Sequence, residues 1–74
     1  MAKYRYLVVI EQAQGNLAAY APDVDGCITT GQTVDEVLHN MQEALSLHIE
    51  GMLRDGDFIP PAIHVAADFV EVDV

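Results

Sequence analysis

Apolar and polar positions along this chain of 74 residues change period twice. Residues 4–11 read Tyr-Arg-Tyr-Leu-Val-Val-Ile-Glu, the β-branched and aromatic composition of a strand. One face is Tyr4, Tyr6, Val8 and Ile10, the other Arg5, Leu7, Val9 and Glu11. Both faces carry apolar side chains near the middle, which predicts a central strand covered on both sides. Residues 12–16 form a turn, with Gly15-Asn16 suited to positive φ. Residues 17–21 return as a second strand, most simply an antiparallel hairpin partner. Pro22-Asp23-Val24-Asp25-Gly26 breaks that strand, because proline cannot donate to a ladder and Asp-Gly is a strong turn pair. Residues 27–30 are a short third strand.

From residue 33 to about 54 the period becomes helical. Val34, Val37, Leu38, Met41, Ala44, Leu45, Ile49 and Met52 fall in one broad stripe at about 100° per residue. Glu36, His39, Glu43, Ser46 and Glu50 lie opposite. Thr33-Val34-Asp35-Glu36 is a capping box, in which the Thr33 hydroxyl accepts from the Glu36 amide and the Glu36 carboxylate reaches back to the Thr33 amide. Asp35 and Glu36 also suit the positive end of the helix dipole. Asp55-Gly56-Asp57 supplies a C-cap glycine and Pro60-Pro61 forbids continuation. Residues 63–74 alternate again, with Phe69, Glu71 and Asp73 on one face and Val70, Val72 and Val74 on the other: a fourth strand.

The order β-β-β-α-β predicts an α+β fold with a mostly antiparallel sheet in the order 3-2-1-4 and one helix on one face. The last strand would lie parallel to the first after a right-handed crossover. The other face, fed by Leu7 and Val9, is the natural surface for a second copy.

Length allows one domain, residues 1–74, and a chain this short buries only about 60% of its unfolded surface. Cys27 is the single cysteine, so no disulfide framework adds stability. Association, as a homo-oligomer (dimer or tetramer), is the favoured remedy. With 3 Lys+Arg against 12 Asp+Glu and a net charge of −9, the chain has no basic patch, which argues against direct nucleic-acid binding and against an anionic membrane surface. Solubility or a basic protein partner fits such a surface. Met1-Ala2-Lys3-Tyr4-Arg5 is followed by a short apolar run that Glu11 interrupts, so no signal peptide is read. No stretch reaches the roughly 20 apolar residues of a membrane span. The expected location is the cytoplasm.

Candidate chemistry is sparse. Asp23, Asp25 and Glu11 suggest a two-metal nuclease site, yet both aspartates sit in a proline–glycine turn, where aspartate is favoured for its backbone bonding. The turn reading is preferred: no catalytic residue, metal ligand or cofactor is assigned. His39 stands four residues from both Asp35 and Glu43, close enough for helical pairing. His48 falls about 20° from the axis of the apolar stripe, as a boundary histidine with one hydrogen bond or as a pH-sensitive packing contact. His64 precedes the last strand, exposed. Cys27 reads as a small buried hydrophobe. Leu47 points about 120° away from the stripe, an ordinary exposed leucine or part of a partner contact. Gly51 inside the helix costs roughly 1 kcal/mol against alanine and would permit close approach to the sheet or to another chain.

Together, Tyr6-Leu7-Val8-Val9-Ile10-Glu11, Tyr20-Ala21-Pro22-Asp23, Gly26-Cys27, Gly31-Gln32-Thr33, Asp35-Glu36 and Asn40-Met41-Gln42-Glu43-Ala44 resemble the HicB family of antitoxins. The likeness continues through Asp55-Gly56 and Ile59-Pro60. It implies a partial ribonuclease-H-like fold and a non-enzymatic role: binding and neutralising a small basic toxin of the HicA type, which cleaves messenger RNA. Such a partner would meet Glu36, Glu43 and Glu50 on the outer side of the helix, Leu47 beside them, and Asp23 and Asp25 in the turn. The chain departs from the family pattern at Asp25, where proline is usual. It also reaches Val74 without the DNA-binding module that many members carry, so operator binding is not expected of it. The alternatives are the metal-dependent nuclease above and a homo-oligomeric scaffold without a toxin.

Overall fold

The computed structural model describes residues 3–74; Met1 and Ala2, the start of the stretch read as lacking a leader, lie outside them. The element order is β1 (Val9–Gln12), β2 (Leu17–Ala21), β3 (Val24–Gly31) and α1 (Val34–Asp55). The three strands form one antiparallel sheet in the order β1-β2-β3. The chain is thus α+β, but the order 3-2-1-4 is corrected: residues 57–74 form no strand, and among the described residues nothing pairs in parallel with β1. β1 is therefore an edge strand rather than a central one. Residues 4–8, read as its first half, belong to no ladder.

Local chemistry explains the rest. Gly15 takes φ +81° in the β1–β2 turn, a conformation that costs glycine no steric penalty. The third strand is longer than the short segment expected, because the turn after β2 is only Pro22-Asp23. Asp25-Gly26 sits inside β3, where the register slips: Tyr20 faces Ile28, but Ala21 faces Val24. Gly26, at φ +80°, lets the extra residues bulge.

The helix is capped as its sequence demands. The Thr33 hydroxyl accepts from the Glu36 amide at 3.1 Å. The returning Glu36 carboxylate accepts from Gln32 at 2.9 Å, one residue earlier than the expected Thr33 amide. At the other end Gly56 is left-handed, and its amide and that of Asp57 donate to the Leu53 and Met52 carbonyls, a Schellman closure.

The helix packs chiefly on β3 and less on β2. Its buried residues Val37 and Met41 meet Ala19, Ala21, Val24 and Cys27, and Ile49 is buried further along the helix. The alanines of β2 leave the depth that Met41, fully buried, fills. Asn40 Nδ2 donates to the Thr30 carbonyl at 2.9 Å and pins the first turns of the helix to the end of β3. Tyr6, Val8 and Ile10 flank this core only partly buried. The helix stripe is accordingly covered on one side alone: Leu38 and Leu53 stay exposed.

Candidate partner-binding surface

On the outer side of the helix, Glu43, Leu47 and Glu50 follow one another at spacings of four and three, so they share a face. All three are exposed, Leu47 to 70%. Gln42, Glu43, Ser46 and Leu47 enclose a shallow depression there. His39 Nε2 lies 2.6 Å from Glu43 Oε1, the helical pairing anticipated; both side chains are well exposed, so the pair is worth little. Glu36 stands about two turns before Glu43 and is engaged by the cap.

Asp23 does something different. Its Oδ2 accepts from the Ile63 and His64 amides at 3.0 and 3.1 Å. Its Oδ1 lies 2.6 Å from His64 Nδ1. An ionised carboxylate only accepts, so that ring nitrogen carries the proton. Only 3% of the Asp23 side chain is exposed. Loss of hydration pushes its carboxyl upward, but the His64 amide and imidazole and the Ile63 amide outweigh this and hold it below the ordinary aspartate range. Tyr6 adds a second anchor, its hydroxyl donating to the Pro60 carbonyl at 2.7 Å. Burial, followed by the nearby Tyr4 and Asp23 charges, pushes the Tyr6 phenol upward. The segment after the helix is thus tied to the sheet at two points by residues far away in sequence.

Of the predicted contact residues, Glu43, Leu47 and Glu50 come together, Glu36 serves the cap, Asp25 is exposed in the bulge, and Asp23 is occupied by the tether. Glu11 pairs with Ala18, five positions along the chain from Asp23, on the order of 15 Å away at strand spacing. The three carboxylates of the nuclease alternative do not converge. Among the described residues no group of three His, Cys, Asp or Glu side chains is placed to hold a metal ion, and no helix is long and apolar enough to cross a membrane. Burial pushes the Cys27 thiol upward. His48 is half-buried. An alanine Cβ at Gly51 would meet nothing within 4 Å, so no close approach inside this chain explains that glycine.

Sequence reasoning missed two features. Val9, Tyr20 and Ile28 lie in one cross-strand row on the open face of the sheet, and Ile28 is largely exposed. His64 engages Asp23 across 41 residues, and no local pattern signals such a contact.

A family model for the HicB-like antitoxin of bacterial toxin–antitoxin systems matches residues 6–73. The chain belongs to the HicB-like antitoxin family. A chain of a solved HicA3 and HicB3 toxin–antitoxin complex matches this HicB-like fold with a TM-score of 0.69 at 32% identity, over 80% of this chain and 70% of that one. A UPF0150 protein of Synechocystis is 33% identical over 58 residues, 77% of this chain and 73% of its own length. A 14.9 kDa protein from the rep-hol intergenic region of Haemophilus phage HP1 is 42% identical over 55 residues, 74% of this chain. The HicB-like chain spans only 41% of that phage protein.

Proposed function

We propose that this HicB-like chain is a non-catalytic antitoxin that binds and neutralises a small basic HicA-type ribonuclease, acting as a homo-oligomer in the cytoplasm. The observation that carries this reading is the match, at 32% identity, to a chain from a HicA3–HicB3 complex. The net charge of −9 supports a basic partner, because opposite charge steers encounter and disfavours wrong partners. The contact surface is the outer helix face: Leu47 is the apolar centre, and Glu43 and Glu50 flank it. A central apolar side chain within a charged rim is the usual anatomy of a protein interface.

The test mixes the purified chain with a small basic HicA-type ribonuclease and follows cleavage of a messenger RNA. Cleavage should stop near equimolar antitoxin. Continued cleavage in excess antitoxin would sink the reading. Leu47→Asp combined with Glu43→Lys should weaken inhibition at least tenfold while the helical circular-dichroism signal is kept; full inhibition by that variant would move the contact elsewhere.

A further inference from the structure

Every residue from 61 to 74 is exposed, and beyond His64 the segment has no strand partner among the described residues. Yet it is not polar. Val65 is 93% and Phe69 100% exposed, with Val70, Val72 and Val74 also bare. A run of valines on one face, with Glu71 and Asp73 on the other, is the pattern of a strand half-buried in a sheet. Its missing counterpart is visible in the same molecule. β1 is an edge strand with a free row of backbone groups. An open groove of about 600 Å³ runs between Tyr6 and Val8, on the segment that leads into β1, and Leu38, Leu45 and Leu53 on the helix.

We propose that residues 65–74 of one copy add as a strand to the β1 edge of a second copy, reciprocally, so that the valines of each tail fill the groove of the other. This rests on the homo-oligomer reading above and is independent of toxin binding.

Three observations select a second copy as occupant. The first is the tether. Asp23 holds Ile63 and His64 at the β2–β3 turn and Tyr6 holds Pro60, so residues 65–74 leave the body from a fixed point and run exposed, with no strand partner among the described residues of their own chain. The long axis of the chain, 49 Å against 26 and 20 Å, reflects a tail that extends off the body. The second is matching faces. With Val70, Val72 and Val74 turned toward Tyr6 and Val8, Glu71 and Asp73 come to the face of Arg5, since strand side chains alternate. The third is charge. Of the three cations in the sequence, Lys3 and Arg5 lie on the segment that leads into β1, and the tail carries Asp68, Glu71 and Asp73. An acidic tail laid beside that edge meets the opposite charge. A ten-residue strand is about 33 Å long. Two such strips, counted on both surfaces, bury on the order of 1,300 Å², within the range of stable interfaces.

Sedimentation of the wild-type chain at tens of micromolar should give twice the monomer mass. Val70→Asp with Val72→Asp should return it to the monomer mass with an unchanged helical signal, because neither side chain contributes to the chain's own core. Leu45→Cys with Val72→Cys, oxidised in dilute solution, should run as a disulfide-linked dimer on a non-reducing gel; the wild-type chain, with Cys27 buried, is the control. A monomeric wild-type chain would overturn both the homo-oligomer and the exchange. A dimer that survives the valine substitutions would overturn the exchange alone, as would a disulfide between the two introduced thiols that closes within one chain. Toxin inhibition is scored on the wild-type chain and does not enter either result.

Discussion

Replacing Gly31 with alanine should destabilise the chain by about 2–4 kcal/mol, whereas the same change at Gly51 should stabilise it by up to about 1 kcal/mol. At Gly31 the new Cβ would stand 2.9 Å from the Val37 amide nitrogen and 3.1 Å from Val37 Cα. Both are helix backbone, and neither can swing aside. Val37 is fully buried against the sheet, so the helix can retreat only by opening the core. Overpacking of this kind costs about 1–3 kcal/mol. The third close neighbour, Glu36 Oε1 at 3.2 Å, is the carboxylate that caps Gln32; disturbing the cap adds about 1 kcal/mol. At Gly51 a Cβ meets nothing, and alanine removes the helix-propensity penalty of glycine, about 1 kcal/mol. A chain of this size holds roughly 4–11 kcal/mol in all, so the Gly31 change should lower the melting temperature by roughly 10 °C or more. Urea unfolding followed by circular dichroism, at fixed chain concentration because association adds to stability, reads both variants as shifts in midpoint at constant slope. A Gly31→Ala chain within about 0.5 kcal/mol of wild type, or a less stable Gly51→Ala chain, would refute the reasoning.

Met41→Ala removes a fully buried side chain from the centre of the core and should cost about 2–5 kcal/mol in the same urea assay; a loss under about 1 kcal/mol would mean the core is looser than described. The Asp23 carboxyl is held below the ordinary aspartate range, so the stability it contributes is complete above about pH 4 and is lost as pH falls through its lower folded value. Carbon-detected NMR should give Asp23 a midpoint below that of an unpaired aspartate, and Asp23→Asn should flatten the acid limb of the stability curve; a midpoint at or above the ordinary value contradicts the tether. Because burial raises the Cys27 thiol, it should react with a disulfide reagent much more slowly than free cysteine at neutral pH and at the free rate once urea unfolds the chain; fast labelling of the folded chain would contradict its burial.

The helix and both of its caps were legible because their signals are local: Thr33 to Glu36, and Gly56 after the last turn, act within one turn of chain. The second strand was equally plain, bounded by Gly15-Asn16 and Pro22. What failed was pairing. Alternation from Phe69 to Val74 reports that a strand is prepared for a partner, but no residue in it states which edge it will meet, so a cis crossover was the default inference. β1 was misjudged for the same reason: its two apolar faces fit a central strand, and the structure leaves one edge and one face open. Glu43, Leu47 and Glu50 could be placed together from spacing alone. The turn at Asp23 was legible but its tether was not, because turn chemistry is local while its partners, Ile63 and His64, are forty residues on.

Among the described residues, strands and helix pair with sequence neighbours, β1 to β2, β2 to β3, and the helix back onto the two strands just before it, and the long-range ties from Tyr6 and Asp23 reach only the segment after the helix. Such short-range topology closes only small loops and folds quickly. The body to Asp55 can therefore assemble on the ribosome before the tail emerges. Any strand exchange would follow as a separate, concentration-dependent step on the slower timescale of subunit assembly. Refolding should then show one fast phase that dilution leaves unchanged and one slow phase that dilution retards. The amount of chain made in the cell would set how much of it reaches the exchanged form, and a cell that halves synthesis would lose more than half of that form.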